Sequence, residues 1–241
     1  MNKITIIAEM GINHNGDMEL AKNMITIAKK VGATAIKTQL YEVDKLFPDK
    51  QIIAGGRDWY EEVKKTELTY EQVAWLAAYA KTIGIEFLAS AFDTERVAWL
   101  EEIEVRRHKV GSRANKDKEL IDAMAETGKP IIISTNYPID FYYPKNASLG
   151  NLFVLYCIPH YPTNLSELKF KDVDFNYHYD GFSDHTIGIE ASLVAIVRGA
   201  KIIEKHFCLK RDDSNPDMVC SIEPDELKQL VNFARKVEEA L

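Results

Sequence analysis

The chain of 241 residues has few cysteines: Cys157, Cys208 and Cys220 are odd in number and show no paired spacing. This argues against a disulfide framework and favours a reducing, cytoplasmic environment. No apolar run approaches the ~18 residues of a membrane span. The apolar stretch near the N-terminus is broken by Glu9 and is too short for a signal peptide. We therefore expect a soluble cytoplasmic protein without membrane contacts.

Positive charge is also scarce. Thirty Lys and Arg residues face 37 Asp and Glu residues, which gives a net charge of −7, and no basic cluster opposes this balance. A nucleic-acid partner is therefore not expected, and any anionic ligand must be held by local positive charge. There is no GxGxxG motif and no internal repeat, so a dinucleotide-binding fold has no support.

Short β-rich segments alternate with helical segments along the chain. The strand candidates are residues 4–9, 35–39, 85–90, 108–112, 130–135, 152–157, 179–183 and 201–207. The helix candidates are residues 17–31, 70–82, 94–104, 117–127, 187–198 and 224–240. Eight strands that alternate with helices predict an α/β fold, a (β/α)8 TIM barrel formed by one domain over residues 1–241. A doubly wound open sheet is the second fold that fits this pattern.

One connection departs from the pattern. Residues 136–151 are interrupted by Pro138, Pro144 and Gly150 and have no apolar stripe of helical period. We predict an irregular connection in place of the helix after the fifth strand, with thin cover on the adjacent barrel wall. A homodimer would bury that exposed apolar side.

Polar side chains stand near the carboxyl end of nearly every predicted strand. They are Glu9, Lys37, Gln39, Ser90, Lys109, Ser112, Ser134, Thr135, Ser183, Asp184, His185, Glu204, Lys205 and His206. In a barrel these strand ends form the active-site bowl. Because burying unpaired polar groups costs a few kcal/mol each, stability does not explain the set, and we predict an enzyme.

Two of these residues, His185 and His206, follow the seventh and eighth strands, which are neighbours in a closed barrel. Two imidazoles at adjacent strand ends are suited to holding a divalent metal, with Glu204 as a supporting group or a third ligand. On spacing alone, a pair of structural histidines is an equal alternative.

Three lysines, Lys37, Lys109 and Lys205, also lie at strand ends. Together with the serines they predict a pocket for phosphate or carboxylate. A class I aldolase, in which one of the lysines forms a Schiff base, is the alternative use of such a residue.

Several motifs occur in an order that resembles the N-acetylneuraminate (sialic acid) synthase family. They are IAEMGINHNGDMELAKNMI, AIKTQ, FLASAFDTERVAWLEE, KVGS, GKPIIIST, GFSDHTIGIEAS and GAKIIEKHF, between residue 4 and about residue 230. The resemblance implies a TIM barrel that condenses phosphoenolpyruvate with a sugar aldehyde, such as N-acetylmannosamine or a related aldose. The implied products are a 2-keto-3-deoxy sugar acid and phosphate, and the implied cofactor is a divalent metal, Mn²⁺ or Mg²⁺.

The resemblance also implies a role for each matching residue. The metal ligands would be His185 and His206, and Glu9 would handle a proton or hold the attacking water. The phosphoenolpyruvate ligands would be Lys37, Ser90, Lys109, Ser112, Ser134 and Ser183. The sugar ligands would be Gln39, Tyr161 and Asp217.

The chain departs from the family pattern at some positions. Arg113 and Ala114 follow KVGS where the family has a glycine and an acid, and Pro159 and His160 precede the YPT stretch where it often has asparagine or serine. The family's C-terminal antifreeze-like domain is not expected within residues 1–241. A non-catalytic paralogue that binds phosphoenolpyruvate or sugar is therefore an alternative to an active synthase.

Overall fold

Over residues 3–146 and 150–240, which the computed structural model describes, the chain forms ten strands, and eight of them close into a barrel. The strands are β1 (Thr5–Gly11), β2 (Ala35–Leu40), β3 (Ile53–Ala54), β4 (Arg57–Asp58), β5 (Glu86–Ala91), β6 (His108–Val110), β7 (Ile131–Thr135), β8 (Leu152–Cys157), β9 (Gly181–Asp184) and β10 (Ile202–His206). The ring order is β1-β10-β9-β8-β7-β6-β5-β2, with every neighbouring pair parallel. The predicted barrel is confirmed, and the open sheet is wrong.

Helices follow most of the barrel strands. They are α1 (Met18–Val31), α2 (Val43–Leu46), α3 (Tyr60–Lys64), α4 (Tyr70–Ile83), α5 (Thr94–Glu102), α6 (Lys118–Glu126), α7 (Glu190–Val197) and α8 (Pro224–Ala240). The start of α4 is fixed by a capping box in which Thr69 and Gln72 bond each other's backbone, and Gly84 ends it with φ 74°. In the described part of the chain, none of these helices has the length and apolarity needed to cross a bilayer.

The barrel interior has an apolar floor. Six buried side chains from six strands pack together there: Ile7, Ala35, Leu88, Ile132, Leu155 and Ile202. Strand side chains alternate between the two faces, so the residue two positions further along each strand points to the same interior. This places the polar strand ends directly above the apolar floor.

The connection after β7 is irregular, as predicted. Residues 136–146 and 150–151 contain no helix, and Ala147, Ser148 and Leu149 lie outside the described residues. Phe141 and Tyr142 of this connection pack against the barrel core, and the Tyr142 hydroxyl bonds Asp122 of α6 at 3.0 Å. The wall beside β7 and β8 is thus covered by loop aromatics.

Not all side chains of that connection are covered: Tyr137, Ile139 and Tyr143 are between 41% and 49% exposed. A homodimer that buries them stays a prediction.

The segment between β2 and α4 is more structured than the sequence predicts. It contains α2, the antiparallel hairpin of β3 and β4, and α3. Its own small core includes Tyr41, Trp59 and Val63. The local signal is Gly55-Gly56, whose φ angles of 59° and 78° suit a two-residue hairpin turn.

Candidate active site

Polar residues replace the apolar ones at the second level of the barrel. Counting two residues on from the floor, Ile7 leads to Glu9, Ala35 to Lys37, Leu88 to Ser90, Ile132 to Ser134 and Ile202 to Glu204. All five polar side chains are buried. Because side chains two positions apart on a strand point the same way, the strands that form the apolar floor also form a polar layer above it. We call this layer, which contains Glu9, Lys37 and Glu204 and two serines, the charged layer.

The charged layer forms the base of a cavity of about 660 Å³. The cavity is lined by all twelve residues to which the resemblance assigns a role: Glu9, Lys37, Gln39, Ser90, Lys109, Ser112, Ser134, Tyr161, Ser183, His185, His206 and Asp217. Thr135 and Asp184, which are also expected in the bowl, do not line it: the side chain of Thr135 bonds Asp140, and that of Asp184 bonds Thr186 and Ser192. The structure thus brings the set together, while the role of each residue stays a prediction.

Lys205 does not belong to this cavity, and its inclusion with the other lysines is wrong. It lies between Glu204 and His206, so strand alternation turns its side chain to the opposite face. There its Nζ lies 3.3 Å from Oδ1 of Asp184 and donates to the carbonyl of Thr186.

Two buried lysines dominate the base of the cavity. Lys37 Nζ lies 2.9 Å from Glu9 Oε1 and donates to Ser90 Oγ at 2.9 Å. Lys109 Nζ donates to Ser134 Oγ, also at 2.9 Å. Each ammonium therefore faces the cavity beside a serine hydroxyl, and such a pair can bind one anionic group.

Glu204 lies between these two lysines. Its Oε1 is 3.6 Å from Lys109 Nζ and its Oε2 is 3.6 Å from Lys37 Nζ. Ser183 Oγ donates to Oε1 at 2.9 Å. Glu204 therefore serves as a counter-charge for the lysines: it forms ion pairs with both and a hydrogen bond with Ser183, and it does not support a histidine.

Burial and neighbouring charges set the protonation of this layer. Burial raises the pKa of Glu9, and the favourable effect of Lys37 does not cancel it. Burial also acts to raise the pKa of Glu204, but Lys109 and Lys37 outweigh it and the net shift is downward. Burial lowers the pKa of Lys109. The pKa values of the two carboxyls are therefore shifted in opposite directions. Glu204 is held ionised, and Glu9 is the carboxyl that more readily accepts a proton.

The two histidines meet on one side of the cavity. Their ring centroids are 5.5 Å apart, and Tyr161 stacks on His185 with centroids at 4.1 Å. Burial lowers the pKa of His185 to about 4 and that of His206 well below its usual value, so both imidazoles are neutral near pH 7. The Nδ1–H of His185 donates to the Ile158 carbonyl at 2.8 Å, which leaves Nε2 with a free lone pair.

This arrangement fits a divalent metal held partly by non-protein ligands. The Nδ1 of His206 is buried and has no hydrogen-bond partner, and a carbonyl-bonded imidazole such as His185 is a common metal ligand. In residues 3–146 and 150–240, no three His, Cys, Asp or Glu side chains converge on one point. The protein would therefore supply two imidazoles and leave the other positions to substrate and water.

Asp217 completes this side of the cavity. Its Oδ2 lies 3.4 Å from His206 Nδ1 and, although buried, has no hydrogen-bond partner. Burial and the nearby charge of Glu9 raise the pKa of Asp217 to about 7. A Cβ at Gly11, whose φ is 51°, would come within 2.7 Å of that same oxygen. The carboxyl of Asp217 can therefore occupy this position only because residue 11 of β1 is a glycine.

The mouth of the cavity is largely apolar and was not predicted. Phe47, Ile53 and Phe92 line it, and the guanidinium of Arg113 lies over the Phe47 ring at 4.5 Å. Most of this wall comes from the segment of α2, β3, β4 and α3. The Gly-Gly turn was a signal for the hairpin, but nothing local indicates that the hairpin folds over the barrel mouth.

The positions at which the chain departs from the family pattern differ in whether they line the cavity. Pro159 and His160 line the cavity next to Tyr161, so this departure lies beside a residue that the resemblance predicts to bind the sugar. Ala114 is buried in the one-turn 3₁₀ helix Ser112–Ala114 and does not line the cavity, whereas Arg113 does.

The chain is similar in sequence to a known protein family and to named synthases. The profile of the NeuB family matches residues 24–241. The N,N'-diacetyllegionaminic acid synthase of Campylobacter jejuni is 33% identical over 261 residues, which cover 100% of this chain and 78% of that protein. The N-acetylneuraminate-9-phosphate synthase of Homo sapiens is 32% identical over 253 residues, which cover 98% of this chain and 70% of that protein.

A solved structure is similar over nearly the whole chain. It is the N-acetylneuraminic acid synthetase of Leptospira borgpetersenii in complex with citrate, with 30% sequence identity and a TM-score of 0.83. The similarity covers 99% of this chain and 85% of that one.

Proposed function

Because the chain belongs to the NeuB family, we propose that it condenses phosphoenolpyruvate with a sugar aldehyde. It is a synthase-like enzyme that forms a carbon–carbon bond, and its relatives are synthases of sialic-type acids. The proposed products are a 2-keto-3-deoxy sugar acid and inorganic phosphate. The proposed acceptor is N-acetylmannosamine or a related aldose.

One observation carries this proposal: a single cavity holds two buried lysines beside serine hydroxyls at its base and two neutral imidazoles on its side. Phosphoenolpyruvate offers a phosphate and a carboxylate, which suit the lysines and serines. An aldehyde needs a group that polarises its oxygen, and the imidazole side can hold one.

The base of the cavity is the proposed phosphoenolpyruvate site. Lys37 and Lys109 neutralise the anion, and three serines, Ser90, Ser112 and Ser134, can donate hydrogen bonds to it. Ser183 lines the same part of the cavity, but its hydroxyl donates to Glu204 Oε1. Because both lysines are almost completely buried, their charges act at an effective dielectric well below that of bulk water. The lysines therefore fix the orientation of the methylene carbon toward the imidazole side.

The acceptor lies above this anion. Gln39, Tyr161 and Asp217 line that part of the cavity and offer an amide, a phenol and a carboxyl to sugar hydroxyls. His185 and His206 would hold a divalent metal, Mn²⁺ or Mg²⁺. When bound, such an ion supplies Lewis-acid polarisation of the aldehyde oxygen.

The proposed reaction has three steps. The methylene carbon of phosphoenolpyruvate bonds to the aldehyde carbon, whose oxygen takes a proton and becomes a hydroxyl. Water then adds to the cationic carbon that carries the carboxylate and the phosphate ester, and it loses a proton. Finally the bond between this carbon and the ester oxygen breaks, and the new hydroxyl gives its proton to the departing phosphate, which leaves a ketone and inorganic phosphate.

Glu9 is the proposed acceptor of the water proton. It lies at the end of β1 at the base of the cavity, and its Oε2 is buried without a hydrogen-bond partner. A carboxylate in general acid–base catalysis typically contributes about 10²–10⁴-fold to the rate. Glu204, which forms ion pairs with both lysines, orients the charged layer instead.

Phosphate release tests the proposal. The purified protein is incubated with phosphoenolpyruvate, Mn²⁺ or Mg²⁺, and a panel of aldoses that includes N-acetylmannosamine, with reactions lacking aldose or metal as controls. We expect phosphate release that requires both. If phosphoenolpyruvate binds but no acceptor yields phosphate, the binding-protein alternative replaces the enzyme. Covalent trapping by borohydride with a carbonyl substrate would instead establish a Schiff-base aldolase.

A further inference from the structure

The residues after β1 hold a distant part of the chain. Asn13 and Asn15 bond the segment 207–221, which lies between β10 and α8 and carries Asp217. We call Asn13 and Asn15 the asparagine clasp. Neither residue lines the cavity.

Asn13 holds the two ends of that segment. It is buried, and its Nδ2 donates both to the Phe207 carbonyl at 2.9 Å and to Ser221 Oγ at 2.8 Å. The Ser221 hydroxyl in turn donates to the Asp217 carbonyl at 2.8 Å. One amide group thus connects β1 to the backbone of Asp217 through a single serine.

Asn15 holds the middle of the segment. Its Nδ2 donates to Ser214 Oγ at 3.0 Å, and its Oδ1 accepts from Asn215 Nδ2 at 2.8 Å. The Oδ1 of Asn215 then accepts from the backbone N–H of Asp217 at 3.0 Å. A second path therefore connects β1 to Asp217 from the other direction along the chain.

Both paths end on the backbone of Asp217, whose side-chain carboxyl is restricted in position. Asp217 Oδ2 lies between Gly11, where a Cβ would approach it to 2.7 Å, and His206 Nδ1 at 3.4 Å. A displacement of the backbone at Asp217 moves this oxygen relative to the imidazole side of the cavity.

We propose that Asn13 and Asn15 are positioning residues, which hold Asp217 in place to bind the acceptor sugar. This inference rests on the proposed function. Asn15 is the more informative of the two, because its side chain is exposed and a hydrogen bond at the surface contributes little to overall folding.

The backbone conformation at Asn15 permits two variants that differ in whether they keep the hydrogen bonds of the side chain. Its φ is 50°, a left-handed conformation that Gly adopts freely and Asp tolerates. Asn15→Gly removes both clasp bonds without backbone strain. Asn15→Asp keeps the acceptor for Asn215, and its second oxygen can accept from the Ser214 hydroxyl. Asn13 differs, because both of its bonds use the amide as donor, and Asn13→Asp loses both.

We expect Asn15→Gly to raise the KM for the acceptor about five- to twentyfold, while the KM for phosphoenolpyruvate stays within about twofold. Asn15→Asp should restore the acceptor KM to within about twofold of the wild type, and Asn13→Asp should not. In an Asp217→Asn background, Asn15→Gly should have no added effect on the acceptor KM, because it acts through Asp217.

Hydrogen–deuterium exchange tests the clasp without turnover. Amides of Asp217, Met218 and Ser221 should exchange faster in Asn15→Gly, while those of β7, on the far side of the barrel, should not change. Unchanged exchange in the segment, or additive KM effects in the double variant, would overturn the proposal. Wild-type protein that turns over no acceptor would overturn the proposed function and with it the role of the clasp in catalysis. Normal wild-type turnover with an unaffected Asn15→Gly would overturn the clasp alone.

Discussion

Lys109 and Lys205 are both almost completely buried barrel lysines, yet they face opposite sides of the barrel wall. Lys109 Nζ donates to Ser134 Oγ inside the cavity, whereas Lys205 Nζ lies 3.3 Å from Asp184 Oδ1 outside it. The chain thus contains a matched pair of buried lysines, one in the proposed anion site and one outside.

Substitution of Lys109 and of Lys205 by methionine should affect different properties: phosphoenolpyruvate affinity in the first variant and thermal stability in the second. Lys109→Met should weaken phosphoenolpyruvate binding by about 100-fold, as expected for loss of a charge-assisted contact in a buried site. Lys205→Met should lower the melting temperature, because Asp184 is left buried without its ammonium, but should bind phosphoenolpyruvate with nearly wild-type affinity. Isothermal calorimetry with thermal unfolding checks both. Equal loss of affinity in the two variants would contradict the anion site.

The two cavity histidines should be needed for turnover but not for anion binding. His185→Ala and His206→Ala each remove one neutral imidazole from the proposed metal site, so phosphate release should fall to background. Phosphoenolpyruvate should still bind through Lys37 and Lys109. His178→Ala, at an exposed histidine that does not line the cavity, is the control.

Chelator-treated wild-type protein should behave like the histidine variants and recover when Mn²⁺ is added. Full activity in either variant, or in the metal-free protein, would remove the metal from the reaction.

Gly11 should be essential for the site rather than for the fold. Gly11→Ala combines a left-handed φ of 51° with a contact of 2.7 Å to Asp217 Oδ2. Gly128→Ala has a similar φ of 72° but nothing within 4 Å. Both should lose about 1–2 kcal/mol of stability from backbone strain, which shifts the melting temperature by roughly 2–8 °C.

Only Gly11→Ala should lose acceptor turnover, by about tenfold or more, because Asp217 must move. Steady-state kinetics beside thermal unfolding of the two variants gives the comparison. Comparable activity in both would show that the position of Asp217 is not critical.

The barrel and most of its charged layer follow from local sequence patterns, because a strand has a period of two and its carboxyl end faces the bowl. The same alternation explains the error over Lys205, which stands one position away from Glu204 and His206. What could not be predicted depends on long loops. Strands β3 and β4 have two residues each and are stabilised by packing around Trp59. Asp217 is assigned to the site only through the family resemblance, because its position depends on hydrogen bonds to residues some 200 positions earlier, which no local pattern indicates.

Glu204 should oppose phosphoenolpyruvate binding. Its two oxygens each lie 3.6 Å from a lysine ammonium, and Lys109 and Lys37 hold its pKa below the usual value despite burial. In the absence of an anionic substrate it is therefore the charge that balances the lysines. Glu204→Gln keeps the shape of the side chain and its bond to Ser183 but removes one negative charge next to the bound anion.

We expect Glu204→Gln to tighten phosphoenolpyruvate binding about three- to tenfold at low salt, because charges several ångströms apart interact by a few kcal/mol before screening. The gain should shrink as ionic strength rises. Glu86→Gln is the control, since Glu86 pairs with Arg107 at 2.7 Å and does not line the cavity. Calorimetric titrations at two salt concentrations measure the effect. Weaker binding in Glu204→Gln, with Glu86→Gln unchanged, would show instead that the Glu204 carboxylate contacts the substrate directly.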